Sequence, residues 1–231
     1  MTTPTRGFTL VEMIVVLAII TIITTIALLG QSSFNRSMVL TDTAYTIAFS
    51  VREAQALGIS SRAFAGTPDA GYGLNFTNQS PTITSYKLFA DTAPAAPGDT
   101  QYPGICPGHP DVPKTNPEAK PGDCIQTVEA EVVRTYGLNN GFYISRFCGR
   151  RSNGSQRCNG PAMDSLNIVY LRPNTQSVIT AVNGNVRTAL EDATIRISSP
   201  DGQIERCIYI SKVGQVSVLQ EGENVTECPV Q

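Results

Sequence analysis

The sequence predicts an α+β fold, with a long N-terminal helix packed on an antiparallel, β-rich domain. Three observations carry this: an unbroken apolar run at residues 8–29, a helical apolar repeat reaching residue 58, and short β-rich runs beyond Gly58. The chain has 231 residues, six cysteines and one histidine, a length that suits one domain with an appendage or at most two small domains. Its formal net charge of −2 implies no general polycationic surface for nucleic acid.

Residues 8–29 read FTLVEMIVVLAIITIITTIALL, with one charge, Glu12, and neither proline nor glycine. At about 1.5 Å per residue the run makes roughly 33 Å of helix, enough to cross a hydrocarbon core. The leader, residues 1–7, carries Arg6 as its one side-chain charge, so it is expected to stay cytoplasmic while the rest is exported. The run exceeds a secretory signal, and no Ala-x-Ala-like site follows it cleanly. The small residue that stands out is Gly7, and cleavage there would keep the helix in the mature chain. A carboxylate near the start of a membrane span is costly, which marks Glu12 as a functional candidate. An amine at Phe8 would lie one turn away, and a neighbouring chain's amine would reach Glu12 in a staggered bundle. Snorkelling at the membrane edge is the plainer reading.

Leu40, Ala44, Ile47, Val51, Ala54 and Gly58 recur at spacings of four and three, which places them on one helical face. Asp42, Arg52 and Glu53 fall elsewhere. Residues 30–58 therefore read as an amphipathic half, with Gly58 as its C-terminal stop and Gly30, Gln31, Ser32 and Ser33 loosening its start. Candidate strands are 62–65, 73–76, 82–90, 125–134, 142–147, 166–172, 178–182, 194–198, 204–210 and 215–219. The last three, joined by Pro200-Asp201-Gly202 and Lys212-Val213-Gly214, read as an antiparallel meander. Asn183-Gly184 and Asn139-Asn140-Gly141 are further turn signals. Eight of the fifteen prolines lie between Pro94 and Pro121, so 92–124 is expected to be an exposed loop.

Cys106, Cys124, Cys148, Cys158, Cys207 and Cys228 all follow the apolar run, and an even count on the exported side points to disulfides. Six cysteines allow fifteen connectivities. Sequence neighbours favour Cys106–Cys124, Cys148–Cys158 and Cys207–Cys228, each contributing roughly 2–4 kcal/mol. Cys106 and His109 have a ligand-like spacing, but zinc needs two more ligands, and no CxxC pair or second histidine exists. No metal and no cofactor is expected. The chain has no Gly-x-Ser-x-Gly elbow, phosphate-binding loop or dinucleotide fingerprint. Glu129, Glu131 and Asp164 read as solvated positions, and His109 as a loop residue with no nucleophile placed beside it. An enzyme is not expected. Arg146, Arg150, Arg151 and Arg157 gather around Cys148 and Cys158, and a stiffened basic loop can grip phosphates of DNA. A solvated loop is the plainer reading.

Arg6-Gly7-Phe8-Thr9-Leu10-Val11-Glu12 before a long apolar helix closely resembles the type III signal of type IV pilins and pseudopilins. The resemblance implies cleavage after Gly7 by a prepilin peptidase and N-methylation of Phe8. It gives Glu12 the role of recruiting and registering a subunit in a growing filament. It implies a pilin-like fold, divided into a leader at 1–7, a transmembrane half at 8–29, an amphipathic half at 30–58 and an ectodomain at 59–231. The implied partners are other pilin subunits met through the N-terminal helix, an inner-membrane assembly platform, and membrane lipid before assembly. The implied location is the inner membrane, with the ectodomain outside the cytoplasm, and then a pilus or pseudopilus. Arg52-Glu53-Ala54, Tyr72-Gly73-Leu74-Asn75-Phe76, Leu171-Arg172-Pro173-Asn174 and the 210–218 segment resemble the H-type pseudopilin and minor-pilin branch. The Pro-rich insertion and six cysteines depart from that branch. The expected function is a structural minor pilin or pseudopilin. The alternative is a single-span, membrane-anchored ectodomain that binds a ligand such as DNA and never polymerises.

Overall fold

The computed structural model describes residues 7–60, 63–66, 70–79, 81–92, 124–126, 129–171 and 176–220. Helix α1 spans Leu10–Ile59. The strands among the described residues are β1 (Gly71–Thr77), β2 (Ser85–Asp91), β3 (Val132–Gly137), β4 (Tyr143–Arg150), β5 (Gln156–Cys158), β6 (Ser165–Tyr170), β7 (Ser177–Asn183), β8 (Val186–Leu190), β9 (Asp192–Ser198), β10 (Glu205–Ser211) and β11 (Val216–Gln220). They form a six-stranded sheet, ordered β3-β2-β1-β6-β7-β8, and a five-stranded sheet, ordered β11-β10-β9-β4-β5. Every pairing is antiparallel. The fold is α+β and pilin-like, as the sequence predicts.

The chain divides into two compact units, Met1–Val39 and Leu40–Gln231. In the first, the expected membrane span at 8–29 is not confirmed. Among the described residues no helix is long and apolar enough to cross a membrane.

In the second unit the apolar repeat does what its spacing dictates. Leu40, Ala44, Ile47, Val51 and Ala54 are all buried, forming one stripe of the helix. Polar contacts flank the stripe on both sides. The Ser50 hydroxyl and the Tyr86 hydroxyl of β2 lie 2.8 Å apart. The Tyr136 hydroxyl of β3 donates to Glu53, whose carboxylate also pairs with Arg134 at 3.5 Å. Toward the five-stranded sheet, Arg52 donates to the Gly214 carbonyl at 3.1 Å and Arg206 of β10 to the Thr41 hydroxyl at 3.2 Å. Gly58 corrects its sequence reading. It lies inside the helix, buried, and a Cβ there would collide with the carbonyl oxygen of Tyr170 and sit 2.9 Å from its Cβ. Glycine is required at 58 for close approach to β6, and the helix ends one residue later.

Aromatic rings join the layers. Phe76 of β1 stacks on Tyr86 with centroids 5.2 Å apart, and Tyr86 on Tyr136 at 5.0 Å. Phe76 also meets Phe147 of β4 at 6.5 Å, which links the two sheets through their buried faces. The chain passes from β8 in one sheet to β9 in the other through Glu191 alone.

The Pro-rich loop lies outside the described residues, but its two roots do not. Thr92 donates its backbone N–H and its hydroxyl to Glu131, and the Cys124 N–H donates to Asp91 at 2.8 Å. Glu131 and Asp91 are fully buried, so the solvated reading of Glu131 is wrong: it anchors a chain crossing. The expected strand at 125–134 is correspondingly shorter. A short 3-10 turn occupies Glu129–Glu131, and β3 begins at Val132. No strand forms at 63–66 among the described residues, where Phe64 makes a single bridge. β5 and β8, which the sequence reading missed, are the outer strands of their sheets, with polar residues where a two-sided strand would be apolar.

Two outcomes follow. Gly58→Ala should lower stability by about 1–3 kcal/mol, the cost of overpacking. Gly137→Ala, whose Cβ would meet nothing within 4 Å, should stay within about 0.5 kcal/mol; urea midpoints of the full chain test both. Burial pushes the Tyr86 phenol up to about 12, and burial together with Glu53 raises that of Tyr136. The neutral phenols are favoured in the folded state, so their contribution is whole below the ordinary phenol pKa of about 10 and is lost above it, for Tyr86 as pH climbs toward 12. Urea midpoints should fall across that window, and Tyr86→Phe should flatten the fall.

Candidate functional site

Among the described residues, three precede the helix. Gly7, Phe8 and Thr9 are non-helical and exposed. Thr9 is the N-cap: its carbonyl accepts the first helical bond from Met13 at 3.2 Å, and its hydroxyl accepts the Glu12 N–H at 3.2 Å. Glu12 stands at the third helical position, completing a Thr-x-x-Glu capping pattern and placing a carboxylate at the positive end of the helix dipole. The sequence reading missed Thr9, although Ser/Thr-x-x-Glu before an apolar run is the signal for it. The Gly7–Phe8 bond therefore lies outside the helix. A Cβ at Gly7 would meet nothing within 4 Å, so the fold does not require glycine there.

Behind this start the helix is apolar on every side. Every large apolar side chain from Leu10 to Ile26 is at least 45 % exposed. The hydroxyls within the stretch are satisfied internally: Thr21 donates to the Leu17 carbonyl, Thr24 to Ile20 and Thr25 to Thr21, each at 2.7 Å. These threonines present no unpaired hydroxyl to their surroundings. Such a surface suits an apolar environment all round, whether lipid or other helices.

The arginine cluster is only partly assembled. Cys148 and Cys158 are joined, directly opposed across β4 and β5. Arg146 and Arg150 share one face of β4, whereas Arg157 opposes Gly149 and lies on the other. Arg150 is committed to Asp192. Its Nε and Nη2 contact Oδ2 at 2.6 and 2.5 Å, while its backbone N–H donates to Oδ1 at 3.0 Å. The hydrogen bond it donates to Asp192 is the main reason the guanidinium pKa is raised above its ordinary value. Arg157 donates to the Ala162 carbonyl at 3.3 Å. Among the described residues Arg146 and Arg151 form no ion pair. Arg150 thus clasps the crossing between sheets, and the four arginines do not converge on one point.

Cys124 and Cys207 are also disulfide-bonded; their expected partners, Cys106 and Cys228, lie outside the described residues, as does His109. Among the described residues no group of His, Cys, Asp or Glu is arranged to hold a metal ion.

Residues 3–28 match the prokaryotic N-terminal methylation motif, the signature of type IV pilins and pseudopilins. No curated protein and no solved structure matches the chain.

Removing the clasp should be costly. Arg150→Ala leaves the nearly buried Asp192 carboxylate without its guanidinium and should lower stability by about 1–3 kcal/mol. Arg151→Ala should stay within about 0.5 kcal/mol. Denaturant unfolding of the two variants beside the wild type distinguishes them.

Proposed function

We propose that this chain is a structural, non-enzymatic subunit of a type IV pilus or secretion pseudopilus, and within that class a minor pilin or H-type pseudopilin. One observation carries the reading: the methylation motif at 3–28 opens directly into a helix whose apolar side chains are exposed on every side. The leader holds the N-terminus on the cytoplasmic side, and 8–29 sits in the inner membrane before assembly. The peptidase cuts the Gly7–Phe8 bond, which lies outside the helix, and Phe8 becomes the methylated N-terminus. Since the fold leaves room for a side chain at Gly7, the need for glycine there comes from the peptidase.

Thr9 remains after the cut, so the helix keeps its N-cap and Glu12 keeps its place in the first turn. In the filament the Phe8 amine of a neighbouring subunit pairs with the Glu12 carboxylate, which offsets the cost of burying both charges. The exposed apolar side chains then pack against neighbouring helices in place of lipid, and the ectodomain faces outward.

The test separates charge from capping at Glu12. Intact mass of protein from its native membrane should begin at Phe8 with one added methyl group. A mass beginning at Met1 or Thr2, with the peptidase active on a control, would overturn the reading. Glu12→Ala and Glu12→Gln should both insert and be cleaved, yet enter filaments at least about tenfold less than wild type. Glutamine keeps the capping pattern but not the charge, so normal incorporation of Glu12→Gln would reduce Glu12 to a helix cap.

A further inference from the structure

We propose that Asn153, at the tip of the β4–β5 hairpin, is an N-glycosylation acceptor on the exported side of the chain. The proposal rests on the export reading above, because the sequence motif has this meaning only there. Five asparagines stand in Asn-x-Ser/Thr triplets without an intervening proline: Asn35, Asn75, Asn78, Asn153 and Asn224. The structure sorts them. Asn75 is buried within β1, with its amide bonded to Asn167. Asn35 lies inside α1, where the acceptor backbone cannot extend without breaking the helix. Asn78 accepts from Asn159 at 3.4 Å, and its hydroxyl partner Ser80 lies outside the described residues, as does Asn224.

Asn153 has both parts of the motif exposed in one tight turn. Its Oδ1 accepts the Ser155 N–H at 3.0 Å and the Ser155 hydroxyl at 2.6 Å. This arrangement holds the carboxamide by its oxygen and leaves Nδ2 as the group offered to an incoming reagent. Gly154 adopts φ +82°, and a Cβ there would meet nothing within 4 Å, so a bulky substituent at the tip displaces no neighbour. The Cys148–Cys158 bond closes the base of the hairpin.

The substrate class is an oligosaccharide carried on a polyisoprenyl pyrophosphate, delivered by a transferase on the exported side. Nδ2 attacks the anomeric carbon, and a C–N bond forms as the bond from that carbon to the pyrophosphate oxygen breaks. The lipid pyrophosphate leaves with the electron pair, and one amide proton passes to a base of the transferase. Nothing is oxidised or reduced.

Full-length chain recovered from the membranes and filaments of its source cells is digested with trypsin, which releases residues 152–157 as one peptide. Mass spectrometry should find hexose or N-acetylhexosamine increments on Asn153. They should vanish in Asn153→Gln and in Ser155→Ala, survive in Ser155→Thr and be unaffected in Ser152→Ala. A wild-type peptide wholly at its unmodified mass would overturn the proposal. So would deamidation without sugar, or a glycan that persists in Asn153→Gln. The N-terminus read from the same sample keeps the two readings apart: a chain starting at methylated Phe8 with a bare Asn153 refutes only the glycosylation.

Discussion

The close seating of the 40–58 stripe of α1 against the sheets is the constraint on which the second unit depends. Ala44, Ala54 and Gly58 are small, and at Gly58 the helix backbone meets that of Tyr170 so tightly that no Cβ fits. Small residues bring helix and strand backbones together, and Leu40, Ile47 and Val51 fill the remaining space at full burial. One helix then touches both sheets, through Tyr86 and Tyr136 on one side and Gly214 and Arg206 on the other. A shift of the helix would unseat the aromatic stack and the polar contacts together.

The charged residues that stand out beyond the helix serve mainly as stitching. Arg150 and Lys212 meet Asp192 and Glu191 where the chain passes between sheets, and Asp91 and Glu131 hold the two roots of the Pro-rich segment. These roles differ in weight. Lys212–Glu191 is substantially exposed and contributes little, whereas Asp192, Asp91 and Glu131 are buried and must keep their partners. An arginine-rich hairpin invites a phosphate-binding reading, yet its most buried contact is with its own sheet.

Much of this was legible in the residues, because the helix and the central strands repeat at periods the eye can follow. The six-residue stripe from Leu40 to Gly58, the meander of β9, β10 and β11, and the turn at Asn183-Gly184 all appear where the patterns place them. What escaped was set by tertiary position. β5 and β8 are outer strands with one neighbour each, so no apolar alternation marks them. Glu131 looks solvated in sequence, since only the fold brings Thr92 beside it. Gly58 looks like a helix stop because glycine's commoner use is to end a helix, and its need for close approach arises from a strand over a hundred residues away. At the candidate site the Gly7–Glu12 motif was plain, while the capping role of Thr9 was overshadowed by the stronger signal around it.

The order in which strands enter the two sheets has a consequence for how the molecule comes to exist. The chain lays down β1 to β3 in one sheet, leaves for β4 and β5 in the other, returns for β6 to β8, and leaves again for β9 to β11. β4 finds its long-range partner only when β9 is present, since Tyr143 pairs with Ser198 and Cys148 with Thr194. The six-stranded sheet has all its strands once β8 is made, but the five-stranded sheet cannot close until β9 to β11 follow. Such interleaving raises contact order and slows folding, so a chain made from its N-terminal end holds β4 and β5 as a waiting hairpin and completes its core only when the last strands are present. Until β9 appears, the edge of β4 that pairs with it is open, and an unpaired strand edge makes that interval the period of greatest exposure to aggregation.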